Sequence, residues 1–441
     1  MSNLNNSVMR VRYDVEGLLK STSNVKFLRD LTMSLLVVWL ESPYQNFMSF
    51  TVFGMLWAIW FFLAFASNSQ AFAFMIQSKR SLAVYFWPFV YLMVVLAGKD
   101  TFSYVVFLYP FISLCGIYYI ETRSFNSIKA FISIYFVYLF MIYLGSIMAL
   151  VENPMISRIL ADSNKEVTKE FATPFVANFS TVNNTSLLLP VFIYLLLKKN
   201  LSGNKRFFAW LLVILGVAVM LMAQYFLAVV VSACLLSFLF LFDSMNRTKA
   251  IILLLLYLIT IGVVVFFEPL VLCLAAVFKS EVYANRLLEI AKAVTEFKVS
   301  ETTDLAIRVN KYLLSLKTFI ENPLFGVGAI SSKARGLVGG HSQYFDALAC
   351  YGLFVGSLFI YIVPCLYRCY EWYFEKKYHY VLKCVFISYF IDNTINLCYT
   401  PEMLFFIAFV IPMYLLLVQD FEGVHVYGEN ITYNASRQIY S

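Results

Sequence analysis

The chain is short of charge. Lys, Arg, Asp and Glu together make up 13% of its 441 residues, about half the share of an ordinary soluble protein, which excludes a large water-soluble domain as its main body. Histidine is scarcer still, with only His341, His379 and His425. The eight cysteines (Cys115, Cys234, Cys273, Cys350, Cys365, Cys369, Cys384, Cys398) lie in or beside apolar segments without paired spacing in polar loops. That pattern supports neither a disulfide framework nor a zinc site. No basic cluster accompanies the net charge of +7, so nucleic acid is not an expected partner and the scattered basic residues serve better to orient the chain in a membrane. A cleavable signal peptide is not expected either, because a polar N-terminus is followed by no short apolar core with a small-residue cleavage site.

What is abundant is apolar. Hydrophobic residues reach 61% with a mean hydropathy of +0.76, which makes this an all-α polytopic membrane protein. Runs near the roughly 20 residues needed to span a bilayer occur at Met48–Ala66, Leu82–Ala97, Phe102–Ile120, Ile128–Leu150, Phe175–Leu197, Phe207–Ala223, Tyr225–Phe242, Ala250–Phe267, Tyr344–Tyr367, Tyr380–Cys398 and Met403–Val418. A weaker run, Leu31–Tyr44, is interrupted by Glu41.

Loop charge decides whether that weak run crosses. If it does, one side carries Arg10, Arg12, Lys20, Lys26 and Arg29, then Lys79-Arg80, Arg123 with Lys129, Lys198-Lys199 with Lys205-Arg206, Arg247 with Lys249, and Arg368 with Lys376-Lys377. The other side carries Ser42–Phe47, Gly98–Thr101, Glu152–Thr173, the turn at Gln224, Glu268–Ser342 and Tyr399–Glu402, which are neutral, mixed or acidic apart from the long segment. The positive-inside rule then gives about twelve transmembrane helices with both termini cytoplasmic. The expected layout is a bundle of spans 1–9 over 1–267 with an outer loop at 151–174, a large helical extracytoplasmic loop over 268–341, spans 10–12 over 342–418 and a cytoplasmic tail over 419–441.

Chemistry is expected on the two long outer segments. The first carries Arg158, Lys165, Lys169 and Asn178, with Asn183-Asn184 at the mouth of the next span. In the second, Leu270–Phe278 is expected along the interface and Glu281–Lys298 as an amphipathic helix. Asp304–Glu321 follows as another, with Leu305, Val309, Tyr312, Leu316 and Phe319 as its apolar stripe and Arg308 and Lys311 beside it. Pro323 ends that helix. Arg308 fits two roles, a headgroup-binding arginine on an amphipathic helix or a bidentate clamp for a diphosphate. His341 is the only histidine on the outer side of this layout. It follows Gly339-Gly340 and precedes Ser342 at a helix start, so the pair could simply cap the helix, or a neutral imidazole could take a proton from a sugar hydroxyl. Asp392, Asn393 and Asn396 fall toward the outer end of their span, near Glu402, and ionisable groups within spans are functional candidates.

An arginine-bearing helix, then Asn322-Pro323-Leu324-Phe325-Gly326-Val327-Gly328, then a loop and His341-Ser342, with Gly352-Leu353 closing the block, resembles the signature of the bacterial O-antigen polymerase and O-antigen ligase superfamily. The resemblance covers about fifty residues closely and the rest by topology. It implies a glycosyltransferase of the bacterial inner membrane that needs no metal and no cofactor. Its donor and acceptor would be undecaprenyl-diphosphate-linked oligosaccharides, with membrane lipid around it and a chain-length regulator protein as a partner. Arg308 then matches the arginine that engages the donor diphosphate and His341 the histidine near the acceptor hydroxyl. Arg158, Lys311, Ser342, Asp392 and Asn393 are the further candidate substrate contacts. Two positions depart from the pattern. Where the family often carries Ser-Arg-Gly in a middle span, this chain reads Met222-Ala223-Gln224-Tyr225-Phe226, and Arg158 is the proposed substitute. Val355 stands where ligases commonly have a small or polar residue, which favours a polymerase. A ligase acting on lipid A core and, more distantly, a glycolipid transporter are the alternatives, although no internal repeat of the transporter kind is visible.

Overall fold

The structure, a computed structural model, describes residues 23–41, 50–77, 79–160, 175–198, 203–242, 304–397 and 400–421. The expected span Ala250–Phe267 and the segments Leu270–Phe278 and Glu281–Lys298 lie outside these residues. Every regular element described is helical. In order they are α1 (23–41), α2 (Phe50–Ser67), α3 (Ser69–Gln77), α4 (Lys79–Leu96), α5 (Tyr104–Glu121), α6 (Phe125–Glu152), the single turn α7 (Ile156–Ile159), α8 (Phe179–Leu197), α9 (Gly203–Met222) and α10 (Phe226–Phe242). After the gap come α11 (Asp304–Glu321), α12 (Ala329–Arg335), α13 (Gln343–Tyr370), α14 (Lys376–Ile395), α15 (Pro401–Phe405), a π-helical turn at Phe406–Val410 and α16 (Ile411–Phe421).

These segments are helical because a helix satisfies its backbone groups internally, which hydrocarbon demands. Polar caps mark where several begin. Ser103, Asn178, Ser342 and Thr400 each accept an amide N–H three residues ahead. By length and composition four described helices can cross a membrane: Phe125–Glu152, Phe179–Leu197, Gln343–Tyr373 and Pro401–Gln419. The α2–α3 pair makes a fifth if a chain bent by 117° counts as one span, and Val84–Leu96, Val106–Glu121, Arg206–Met222 and Leu227–Phe240 are shorter apolar helices. Burial ranks them: Pro401–Gln419 is 94% buried and Phe179–Leu197 83%, against 39% for Phe125–Glu152. The first two therefore form the centre. Outward-facing residues such as Phe62, Phe89, Met93, Met148 and Phe207 are exposed and apolar, as a lipid-facing surface requires. The protein is membrane-embedded.

Arg29 differs from its expected place among the loop charges. It lies within α1, 2% exposed, paired with Asp30 at 2.7 Å and donating to Ser67 Oγ and Tyr118 Oη. The rings of Tyr118 and Tyr119 lie under its guanidinium. Burial is possible because a carboxylate, two hydroxyls and two aromatic faces replace its water.

Described contacts also sort the connecting segments into two ends. At one end Asp30 meets Ser127, Glu121 meets Tyr373 and Glu375 meets Gln419. At the other, Lys99 meets Gly326, Asp100 meets Tyr351, Ser157 meets Tyr225, the rings of Phe179 and Tyr225 touch, and Ser180 meets Thr400.

The Asn322–Gly328 turn belongs to the second end and docks into a break in α13. Gly352 there has φ +72° and ψ −173°, so the helix interrupts itself and frees carbonyls around the break. Val327 N–H donates to Ala349 O at 3.0 Å, Gly328 N–H to Cys350 O at 2.7 Å, and Leu353 N–H to Pro323 O at 2.7 Å. The two backbones meet so closely that a Cβ on Gly352 would lie 2.3 Å from Leu324 O, and one on Gly326 2.4 Å from Cys350 O. Gly98 shares the positive φ but faces open space. Gly98→Ala should therefore lose only the left-handed penalty of about 1–2 kcal/mol. Gly352→Ala must also move backbone and should lose on the order of 3–5 kcal/mol. Melting temperatures in detergent check this, and equal shifts for the two variants would contradict it.

Candidate functional site

α11 carries both cations of interest, and it packs on the protein through its polar face while its apolar stripe is exposed. The face packed on the protein is polar, with Arg308 and Lys311 half-buried and Ser315 and Thr318 fully buried. Val309, Leu313, Leu316 and Ile320 form an exposed apolar stripe. Spacings of three and four residues do align each set on one side of a helix, but the inward side is decided by what it meets. It meets the backbone of the loop that delivers His341.

That loop is fastened residue by residue. Thr318 Oγ1 donates to Leu337 O at 2.6 Å, and Gly339 N–H donates to Ser315 Oγ at 2.9 Å. Ser315 Oγ in turn donates to Asp346 Oδ1 at 2.6 Å. Gly339 lies so near the helix that a Cβ would come within 2.2 Å of Lys311 O, so only glycine fits. The Asp346 carboxylate, one turn into α13, lies close to the amides of Gly340, His341 and Ser342, which offset part of the cost of its burial. The loop is therefore pinned to α11 at Leu337 and Gly339, with His341 held at the start of α13.

His341 Nε2 lies 2.8 Å from Lys311 Nζ. With Lys311 as an ammonium, which has donors only, the ring nitrogen is the acceptor and His341 a neutral imidazole with its lone pair turned to Lys311. Arg308, one turn back, donates to Asn396 Oδ1 at 3.4 Å. Among the described residues no carboxylate forms an ion pair with Arg308 or Lys311. Two cations one helical turn apart, one of them touching an imidazole, thus lie on the same half-buried face, which suits an anion with several oxygens next to a hydroxyl.

Asn396 joins three elements. Besides receiving Arg308, its Nδ2 donates to the buried Asp392 Oδ1 at 3.0 Å, and its carbonyl accepts Gln343 N–H at 3.1 Å. Tyr312 adds a second tie from α11, donating to Ile395 O at 2.6 Å. Burial pushes the Tyr312 phenol above its ordinary range, against the pull of Arg308 beside it, so the hydroxyl keeps the proton it donates.

The expected site residues therefore separate. Arg308, Lys311 and His341 come together, and Asp392 reaches them through Asn396. Ser342 is fully buried and caps α13 by accepting Phe345 N–H at 3.2 Å, so it is committed to the helix and not to a ligand. Asn393 is buried and donates to Tyr389 O one turn back. Arg158 belongs to the single turn α7, and its side chain lies outside the described residues. The backbone next to it is held by Tyr225, whose hydroxyl donates to Ser157 O at 2.7 Å. Ser315, Thr318 and Asp346 went unread as site residues, although Ser315 and Thr318 follow Lys311 at i+4 and i+7. Among the described residues no three His, Cys, Asp or Glu side chains converge as metal ligands.

No protein-family model matches the chain, and no curated protein matches it.

Ser315→Ala would strand the Gly339 N–H and remove a donor from Asp346. The expected loss is about 1–3 kcal/mol, read as a lower melting temperature together with increased proteolysis between Gly336 and Ser342. Stability and protease resistance equal to those of the unaltered chain would show that Ser315 does not fasten the loop.

Proposed function

We propose that this protein is a bacterial O-antigen or capsular polysaccharide polymerase. In this reading it transfers a growing glycan from undecaprenyl diphosphate to a lipid-linked repeat unit on the outer face of the inner membrane. The observation that carries the reading is the grouping of Arg308, Lys311 and neutral His341 on one polar face beside the Asn322–Gly328 turn. Diphosphate is the leaving group, so its developing charge is what must be stabilised, and Arg308 and Lys311 are the groups to do it. When Lys311 turns to phosphate it leaves His341 Nε2, whose lone pair can then accept the proton of the attacking sugar hydroxyl. Asn396, backed by Asp392, orients Arg308. About twelve spans with cytoplasmic termini would set this site on the outer side, as the positive-inside rule assigns. Support for Arg158 as the second diphosphate contact comes from Tyr225, which holds the Ser157 backbone at the turn where the family often carries its own arginine.

Complementation of a deletion strain tests this, with surface glycan profiled on gels. Arg308→Ala and His341→Ala should insert normally and lower polymer by about 100-fold or more, leaving core bearing a single repeat. Full-length polymer from either variant would refute the assignment. Bare core with polymer still on its lipid would identify a ligase, and repeat units retained on the cytoplasmic face would identify a transporter.

A further inference from the structure

Away from Arg308 and His341, a second polar cluster lies inside the bundle. Glu41 at the end of α1 is 5% exposed, Asn184 of α8 1% and Glu402 of α15 9%. Asn184 Nδ2 donates to Glu41 Oε2 at 3.5 Å. Glu41 Oε1, Asn184 Oδ1 and the neighbouring Tyr135 hydroxyl are buried without a hydrogen bond of good geometry, although Tyr135 lies close enough to Glu41 to offer it one. Glu41 is faced by Glu402 from α15 and by Tyr135 and Tyr143 from α6, while Tyr143 is bonded to Thr185. Tyr109 of α5 faces Glu402. Among the described residues, no Lys or Arg faces these groups.

An ionised carboxylate buried beside a second one, with no cation among the described residues, is costly in a low-dielectric bundle. Two buried acceptors without a hydrogen bond of good geometry add to that cost. We propose that this cluster is a proton-binding site, in which Glu41 is held as the neutral acid and paired with Asn184 through two hydrogen bonds. The amide N–H already donates to one carboxyl oxygen. A proton on Glu41 Oε1 turns that oxygen into a donor to Asn184 Oδ1, so one proton removes both unmet acceptors and the charge. The pair then ties the first described helix to α8, one of the two most buried helices, with Glu402 of the other alongside.

Infrared spectra of the full chain in lipid nanodiscs, with glutamate labelled at its carboxyl carbon, test this directly. A protonated-carboxyl carbonyl band should be present at neutral pH, lost in Glu41→Gln, retained in Glu402→Gln and shifted in Asn184→Ala. Glu41→Gln should keep the melting temperature, because its amide can donate to Asn184 as the acid does, whereas Glu41→Ala should lower it. The proposal fails if the band is absent or survives in Glu41→Gln. It fails equally if Glu41→Gln melts as low as Glu41→Ala, or if sodium ions raise the melting temperature of the unaltered chain but not of Glu41→Gln, which would make the occupant a metal cation. Should Glu41→Gln not fold, the band of the unaltered chain and its response to Asn184→Ala decide.

Discussion

Gly339 rests on the carbonyl of Lys311 at a separation that no side chain permits, and the arrangement of the candidate site depends on that contact. A loop pressed onto a helix must satisfy its own amides. Here Ser315 accepts the Gly339 N–H, Thr318 donates to the Leu337 carbonyl, and Asp346 of a second helix takes the Ser315 hydroxyl proton. The consequence is positional: the same helix face that holds the loop also carries Arg308 and Lys311, so His341 cannot be delivered without meeting Lys311. An arrangement held by backbone contacts and buried hydroxyls keeps its geometry better than one resting on long exposed side chains, which surrender rotamer entropy to meet.

The Asn322–Gly328 turn and Gly352 do a second job of the same kind. The glycines are required by approach and by positive φ, and the broken helix supplies carbonyls that the turn's amides need. Lys99 and Asp100 then clamp this junction from the α4–α5 connection, through Gly326 O and Tyr351 Oη. The glycine-rich motif is thus a joint that sets the angle between α11 and α13. It contributes to the site by fixing where Arg308 and His341 stand relative to each other.

Much of this was legible in the chain. Each expected apolar run within the described residues coincides with a helix, because runs of that length have few other ways to satisfy their backbones in hydrocarbon. Asp304–Glu321 was bounded correctly by Pro323, and scarcity singled out His341. Other features were hidden for identifiable reasons. Hydropathy ranks side chains by transfer energy, so it marked the apolar stripe of α11 without saying which face packs on the protein. It could not register that an incoming backbone loop makes serine and threonine the better inner face. Arg29 was misplaced for a related reason, since its partners Ser67, Tyr118 and Tyr119 come from distant segments. Asn396 looked like one polar residue among several until its three bonds were seen together.

The two polar regions share one end of the bundle but differ in character, and the difference bears on how an anionic substrate could approach. Arg308 and Lys311 are half-buried cations, and Glu41 and Glu402 are fully buried acids joined to that end through α1, α8 and α15. Charges buried in a medium of low effective dielectric are felt well beyond contact distance, because little solvent intervenes to screen them. Two ionised glutamates would therefore oppose the field that the cations present to a diphosphate. A proton held between Glu41 and Asn184 lessens that opposition at its source. On the proposed function, the neutral pair would then do more than stabilise helix packing: it would preserve the positive potential offered to a phosphate-bearing ligand at this end of the protein.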